Sequence, residues 1–181
     1  YDSSSSSPAS SALESLSEAN VGTCWEVFHA PHIARLSQVF STEFKPIRYW
    51  LDRREGSGGG ADERVFAIRS SVRYSTKGVF AFLGSGWLSA SGTIEALSDG
   101  ETLQIDFDTF WVDGDGAPGP RDLSGASASP TMADQAVTAL GRLGFIPPLA
   151  TFPVLAVYED TAVFRFPPLR SNIAIKKITT L

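Results

Sequence analysis

Residues 64–74 read RVFAIRSSVRY, and in them Phe66, Ile68, Val72 and Tyr74 alternate with Ala67, Arg69, Ser71 and Arg73. Successive side chains of a strand point to opposite faces, so this pattern predicts a strand with one dry face and one wet face. The same alternation returns downstream. Leu103, Ile105 and Phe107 take one face, and Gln104, Asp106 and Asp108 take the other. Upstream, Ile47, Tyr49 and Leu51 oppose Arg48 and Trp50. A sheet hydrophobic on one side only reads as antiparallel.

Working outward, further strands are predicted over Thr23–His29, through the Gly- and Ser-rich run 84–97 around Trp87, and over Thr151–Tyr158, Ala162–Phe166 and Asn172–Ile178. Glycines allow the 84–97 strand to bend sharply. Asp99-Gly100 is a hairpin signal. Three short helices are expected: 10–20, 32–40 following Pro31, and 130–143, opened by Ser129-Pro130 and closed by Gly144. Eight or so short strands at this spacing favour a mainly-β chain closed into an antiparallel barrel, which leaves no sheet edge exposed.

The domain organisation follows from composition. Residues 1–20 form a Ser-rich tail and short helix, and 21–181 form a single barrel domain into which loop 113–129 and helix 130–143 are inserted. Residues 55–62 (EGSGGGAD) read as a surface loop. At 181 residues the chain suffices to bury a real core, and its net charge of −5 gives no general attraction to nucleic acid. A single cysteine, Cys24, excludes an internal disulfide. The chain opens at Tyr1 rather than Met, which predicts a segment upstream.

No catalytic or metal signature survives inspection. His29 and His32 stand three apart but straddle Pro31, so a shared metal face is not expected. Asp113-Gly114-Asp115-Gly116 resembles a calcium loop, yet Ala117, Pro118 and Ser124 occupy positions that need ligands or a glycine. The glycines near 56–60 and 84–86 lack the Lys and Ser/Thr or the third glycine of phosphate-binding loops. No serine sits in a nucleophile elbow. Asp106 and Asp108 fall on the wet face. The expectation is a protein that binds, with no enzymatic activity.

Twelve phenylalanines, four tyrosines and four tryptophans exceed what a minimal core needs. Some are expected to line a barrel cavity for an apolar small molecule. The candidates are Phe66, Ile68, Tyr74, Trp87, Phe107, Trp111, Phe164 and Phe166. The uncharged stretch 143–158 (LGFIPPLATFPVLAVY) is too short and proline-rich to span a bilayer. Phe145, Ile146 and Leu149 at its tip are candidate contacts to a membrane or a partner protein.

The segments TCWEVFHAPHIARLSQVFSTEFKPIRYWL, GSGWLSASGTIE, LQIDFDTFWVD and FPVLAVYEDTAVFRFPPLRSNIAIKKI, taken in order, resemble the plastid lipid-associated protein (fibrillin) family, in its divergent algal, plant and cyanobacterial branch. The resemblance covers roughly 22–178. It implies a lipocalin-like barrel that binds lipid, quinone or carotenoid, a plastid location at the thylakoid or plastoglobule, and a transit peptide upstream. Trp25 matches the tryptophan of the family's first strand, and Asp160 and Arg165 its late acidic and basic pair. Phe166-Pro167-Pro168-Leu169 replaces the family's Arg-rich ending, and Gly22-x-x-Trp25 is one residue longer than its usual start. The alternative role is a peripheral subunit or assembly factor docked on a thylakoid photosynthetic complex.

Overall fold

A computed structural model describes residues 20–39, 41–53, 65–78, 84–114, 138 and 150–178. Eight strands follow one another around a closed antiparallel barrel: β1 (Cys24–His29), β2 (Thr42–Arg53), β3 (Val65–Thr76), β4 (Ser85–Ala96), β5 (Thr102–Gly114), β6 (Thr151–Val157), β7 (Thr161–Phe166) and β8 (Ser171–Ile178). β1 pairs with both β2 and β8, which closes the ring. The mainly-β barrel read from the alternation is the fold observed. One helix, α1 (Pro31–Val39), connects β1 to β2, and a 3-10 turn (Pro167–Leu169) connects β7 to β8. Of the other two expected helices, 10–20 falls outside the described residues apart from Asn20, which lies in a turn, and of 130–143 only Thr138, which is helical, is described.

Cross-strand rows explain how the interior fills. One inward row runs Trp25–Tyr49–Ser70–Ala90–Phe110 across β1 to β5. Small residues in its centre leave room for the large rings at its ends. A second row runs Leu51–Ile68–Gly92–Phe107. Here the absence of a side chain is required: a Cβ on Gly92 would lie 2.7 Å from the Phe107 Cα and 2.8 Å from the Asp106 carbonyl carbon. Trp25, Leu51, Ile68, Ala90, Phe107 and Phe110 of these rows, with Val27, Ile47, Ile94, Leu103, Ala162, Phe164 and Ile175, form the buried core, and Tyr49 packs against it.

The outward face carries a polar row, Glu26–Arg48–Ser71–Ser89–Trp111. Arg48 pairs with Glu26 at 3.1 Å and lies 6.0 Å from the Trp87 ring, a cation–π arrangement. Ser71 and Ser89 share a hydrogen bond of 2.6 Å, and the Trp111 indole donates to Asp113 at 2.9 Å. Arg69 is paired with Asp52 on the same face.

Pairing is uneven around the ring. β3 and β4 match over the register from Val65↔Glu95 to Ser75↔Ser85, whereas among the described residues β5 and β6 match at Thr102↔Pro153, Leu103↔Phe152 and Gln104↔Thr151, flanked by bonds from the Ile105 N–H to the Ala150 carbonyl at 2.9 Å and from the Val154 N–H to the Glu101 carbonyl at 2.8 Å. Asp99 fixes the β4–β5 hairpin by accepting from the Glu101 and Thr102 amides, each at 2.9 Å. Asp113 lies inside β5 and is buried, so the long connection predicted to start there starts beyond Gly114. The connections 54–64 and 115–137 lie outside the described residues.

Candidate functional site: an apolar cavity inside the barrel

Every strand contributes to one cavity of about 70 Å³, partly open to solvent. Its wall is Trp25 from β1, Tyr49 and Leu51 from β2, Ile68 from β3, Ile94 from β4, Leu103 and Ile105 from β5, Phe152 from β6, Phe164 from β7, and Ile173 and Ile175 from β8. Among the described residues of that wall two side chains carry a polar atom, and both are already engaged. The Trp25 indole donates to Thr23 Oγ1 at 3.0 Å. The Tyr49 hydroxyl is bonded to Ser70, and burial pushes its pKa up to about 12. A polar group buried without a partner would be costly; with both spent, the wall offers a guest only hydrocarbon contact.

An aromatic stack ties one end of this wall to α1. Phe152 lies 6.0 Å from Phe166, ring to ring, and Phe166 stacks on His32 at 4.7 Å. His32 is buried, and its Nδ1 lies 2.9 Å from Ser171 Oγ on β8. Burial lowers its pKa, which favours the neutral ring. Ile33 and Ala30 pack against the core from the same side. The helix therefore covers one end of the barrel through a buried neutral histidine.

The structure sorts the eight lining candidates into three groups. Ile68 and Phe164 line the cavity. Phe66, Phe107, Tyr74 and Phe166 stand at inward positions without reaching its wall: Phe66 and Phe107 pack in the core, Tyr74 opposes Gly86, and Phe166 joins the stack with His32. Trp87 and Trp111 correct the sequence reading, because both lie on the outer face. Trp87 is paired with Arg73, whose neighbours in the strand alternate inward and outward. Trp111 is turned outward by a bulge: the β4–β5 register slips between Ser91 and Gly92, so Asp108 is the extra residue. Beyond it Phe110 faces in and Trp111 faces out. Apart from Ile68, the aliphatic wall residues are absent from those candidates, because a preference for aromatic rings does not select them even where alternation places them inward.

Other candidates are not brought to the cavity. His29 is exposed at the end of β1, while His32 bonds to Ser171. Arg48 is held by Glu26 on the outer face, and Asp160 and Arg165 are exposed; none lines the wall. Cys24 is buried, and its thiol pKa is pushed up to about 11, chiefly by burial, so it is not a thiolate at neutral pH. Among the described residues no cluster of His, Cys, Asp and Glu is placed to hold a metal ion. Phe145, Ile146 and Leu149 lie outside the described residues.

No protein-family model matches the chain, and no curated protein matches it.

Proposed function

We propose that the barrel is a non-catalytic binding protein that takes the end of a linear apolar chain, acyl or prenyl, into its interior. The observation that carries this is the cavity wall: all eight strands supply it, and its two polar atoms are already bonded. Its size sets the shape of the guest. A dry cavity of ~150 Å³ accommodates benzene, and this one is about 70 Å³. A six-membered ring, such as a quinone head or a carotenoid end group, needs about twice the space available. A chain end fits. If the six carbons of benzene take ~150 Å³ of such space, or ~25 Å³ each, then about 70 Å³ accepts about three methylenes.

Energetics narrow the reading further. Three methylenes at ~0.8 kcal/mol each contribute about 2.4 kcal/mol. Association costs ~4 kcal/mol or more. Insertion of the chain end alone therefore does not hold a guest, and the rest of the chain must find favourable surroundings outside the cavity. This is the behaviour of a protein that grips lipid tails transiently at an interface. The ordered segments that resemble the fibrillin family favour the same ligand class, and with it a plastid location. The rival reading, a subunit docked on a photosynthetic complex, rested on 113–129 and 143–158; most of those residues are not described, and no observation favours it.

Organic extraction of natively purified protein, followed by mass spectrometry, tests the proposal. A stoichiometric linear acyl or prenyl lipid is expected. Extracts free of lipid, together with no binding of a fluorescent polyene fatty acid in solution, would refute it.

A further inference from the structure

We infer that the barrel docks end-on, through its α1-bearing end, against an anionic lipid surface. The inference stands on the charge and exposure of the barrel ends and does not depend on what the cavity holds. Strand direction assigns each connection to an end. The α1 end holds the connections β1–β2, β3–β4, β5–β6 and β7–β8, and the opposite end holds β2–β3, β4–β5 and β6–β7; of β5–β6 only Thr138 and Ala150 are described, and 54–64 of β2–β3 lies outside the described residues. Among the described residues, the charged side chains in the first set are Arg35, Lys77 and Arg170, all basic and all exposed. Those in the second set are Asp99, Glu101, Glu159 and Asp160, all acidic and all exposed. Among the described residues, the connections at one end are thus basic and those at the other acidic, in a chain of net charge −5. Next to the connections at the α1 end stand Glu43, which is bridged to Lys77 at 3.3 Å, and the exposed Lys45.

Exposed apolar side chains accompany these bases. Phe28 at the end of β1 is 54% exposed, Val39 at the last position of α1 is 73%, and Leu169 in the 3-10 turn is 52%. They arise from three separate elements as individual projections. A protein partner needs a continuous complementary surface of roughly 800 Å² per side, whereas a lipid surface accepts isolated apolar tips between basic residues. The acidic end also exposes Leu155 and Tyr158. Its four carboxylates would be repelled by anionic headgroups, so charge selects between the ends.

Flotation of the full chain with vesicles tests this. Vesicles of phosphatidylcholine alone and of phosphatidylcholine mixed with phosphatidylglycerol are compared. Binding is expected only to the mixed vesicles and is expected to weaken with added salt. Arg35→Gln and Arg170→Gln should each weaken it about fivefold, corresponding to ~1 kcal/mol per basic residue near an anionic surface. Phe28→Ser and Leu169→Ser should weaken it without changing its salt dependence. Lys176→Gln, an equal charge change at an exposed position of β8 near the acidic end, should leave it unaltered. All five positions are exposed, and circular dichroism verifies the fold of each variant. Binding equal on both vesicle types, absence of binding to either, or equal sensitivity to Lys176→Gln would overturn the inference. So would capture by a soluble acidic polypeptide that the same variants abolish while vesicles are ignored.

Discussion

Ile105→Phe separates a cavity kept for a guest from one left by imperfect packing. Ile105 faces Ile94 across β4–β5 and is only half-buried in the cavity wall, so an added ring has room to turn inward. An unfilled apolar space destabilises a core by ~24 cal/mol per Å³. For about 70 Å³ this gives an upper bound of about 1.7 kcal/mol, since the cavity is partly open. A phenyl ring that fills roughly half of it should return about 1 kcal/mol, which raises Tm by about 2–4 °C in a domain of this size. The same ring removes the space for the chain end. Loss of half of the ~2.4 kcal/mol of methylene contacts weakens binding of a polyene fatty acid by roughly eightfold. Thermal melts followed by circular dichroism and fluorescence titration measure the two effects on one sample. Overpacking acts in the opposite direction, by ~1–3 kcal/mol, and would show as a lowered Tm. Unchanged fatty-acid binding in a well-folded variant would refute the assignment of the cavity as the binding site.

Three further outcomes follow from the packing. Gly92→Ala should destabilise the protein by about 2–3 kcal/mol, visible as a lower urea midpoint, and Phe107→Leu should not rescue it, because the clash is with backbone of β5. Trp111→Phe removes the indole donor to buried Asp113 and should cost about 1–3 kcal/mol while leaving fatty-acid binding intact, because the ring is outside the barrel; lost binding in a stable variant would contradict the face assignment. The pKa of His32 is lowered from 6.5 in the folded state, so below that value the unfolded chain binds more protons than the native one. The stabilising contribution of the neutral ring is complete above pH 6.5 and is lost as the pH falls through and below that value; His32→Phe, which keeps a ring on Phe166, should flatten this part of the Tm–pH curve.

Much of the barrel was legible because period-two alternation needs only local sequence. RVFAIRSSVRY sets its inner and outer faces without reference to any neighbour, and β2 and the first half of β5 do likewise. What alternation cannot report is a slip in register. Counting by twos from Phe107 puts Trp111 inside, and only the pairing of Ser91 with Thr109 and of Gly92 with Phe107 shows that Asp108 is surplus. Trp87 failed for a different reason: size was taken for burial in the core, whereas a tryptophan can also be buried on an outer face beneath an arginine. The cavity itself left a fainter trace. It lies between the neighbouring Ile94 and Ile105 on β4 and β5 and Ile173 on β8 across the barrel, and no single segment records that gap.

The short β5–β6 match has a consequence for traffic into the interior. Leu103, Ile105 and Phe152 stand beside this junction and are also part of the cavity wall. Among the described residues three seams, β1–β2, β5–β6 and β6–β7, are joined by three registered pairs each, and β5–β6 is such a clasp in the wall of the cavity itself. A guest tail need not thread past the helix plug, because it can slip in sideways whenever that clasp loosens. Amide exchange at Leu103 and Ile105, whose N–H groups face β6, faster than along β3 and β4 would be the signature of such a side door.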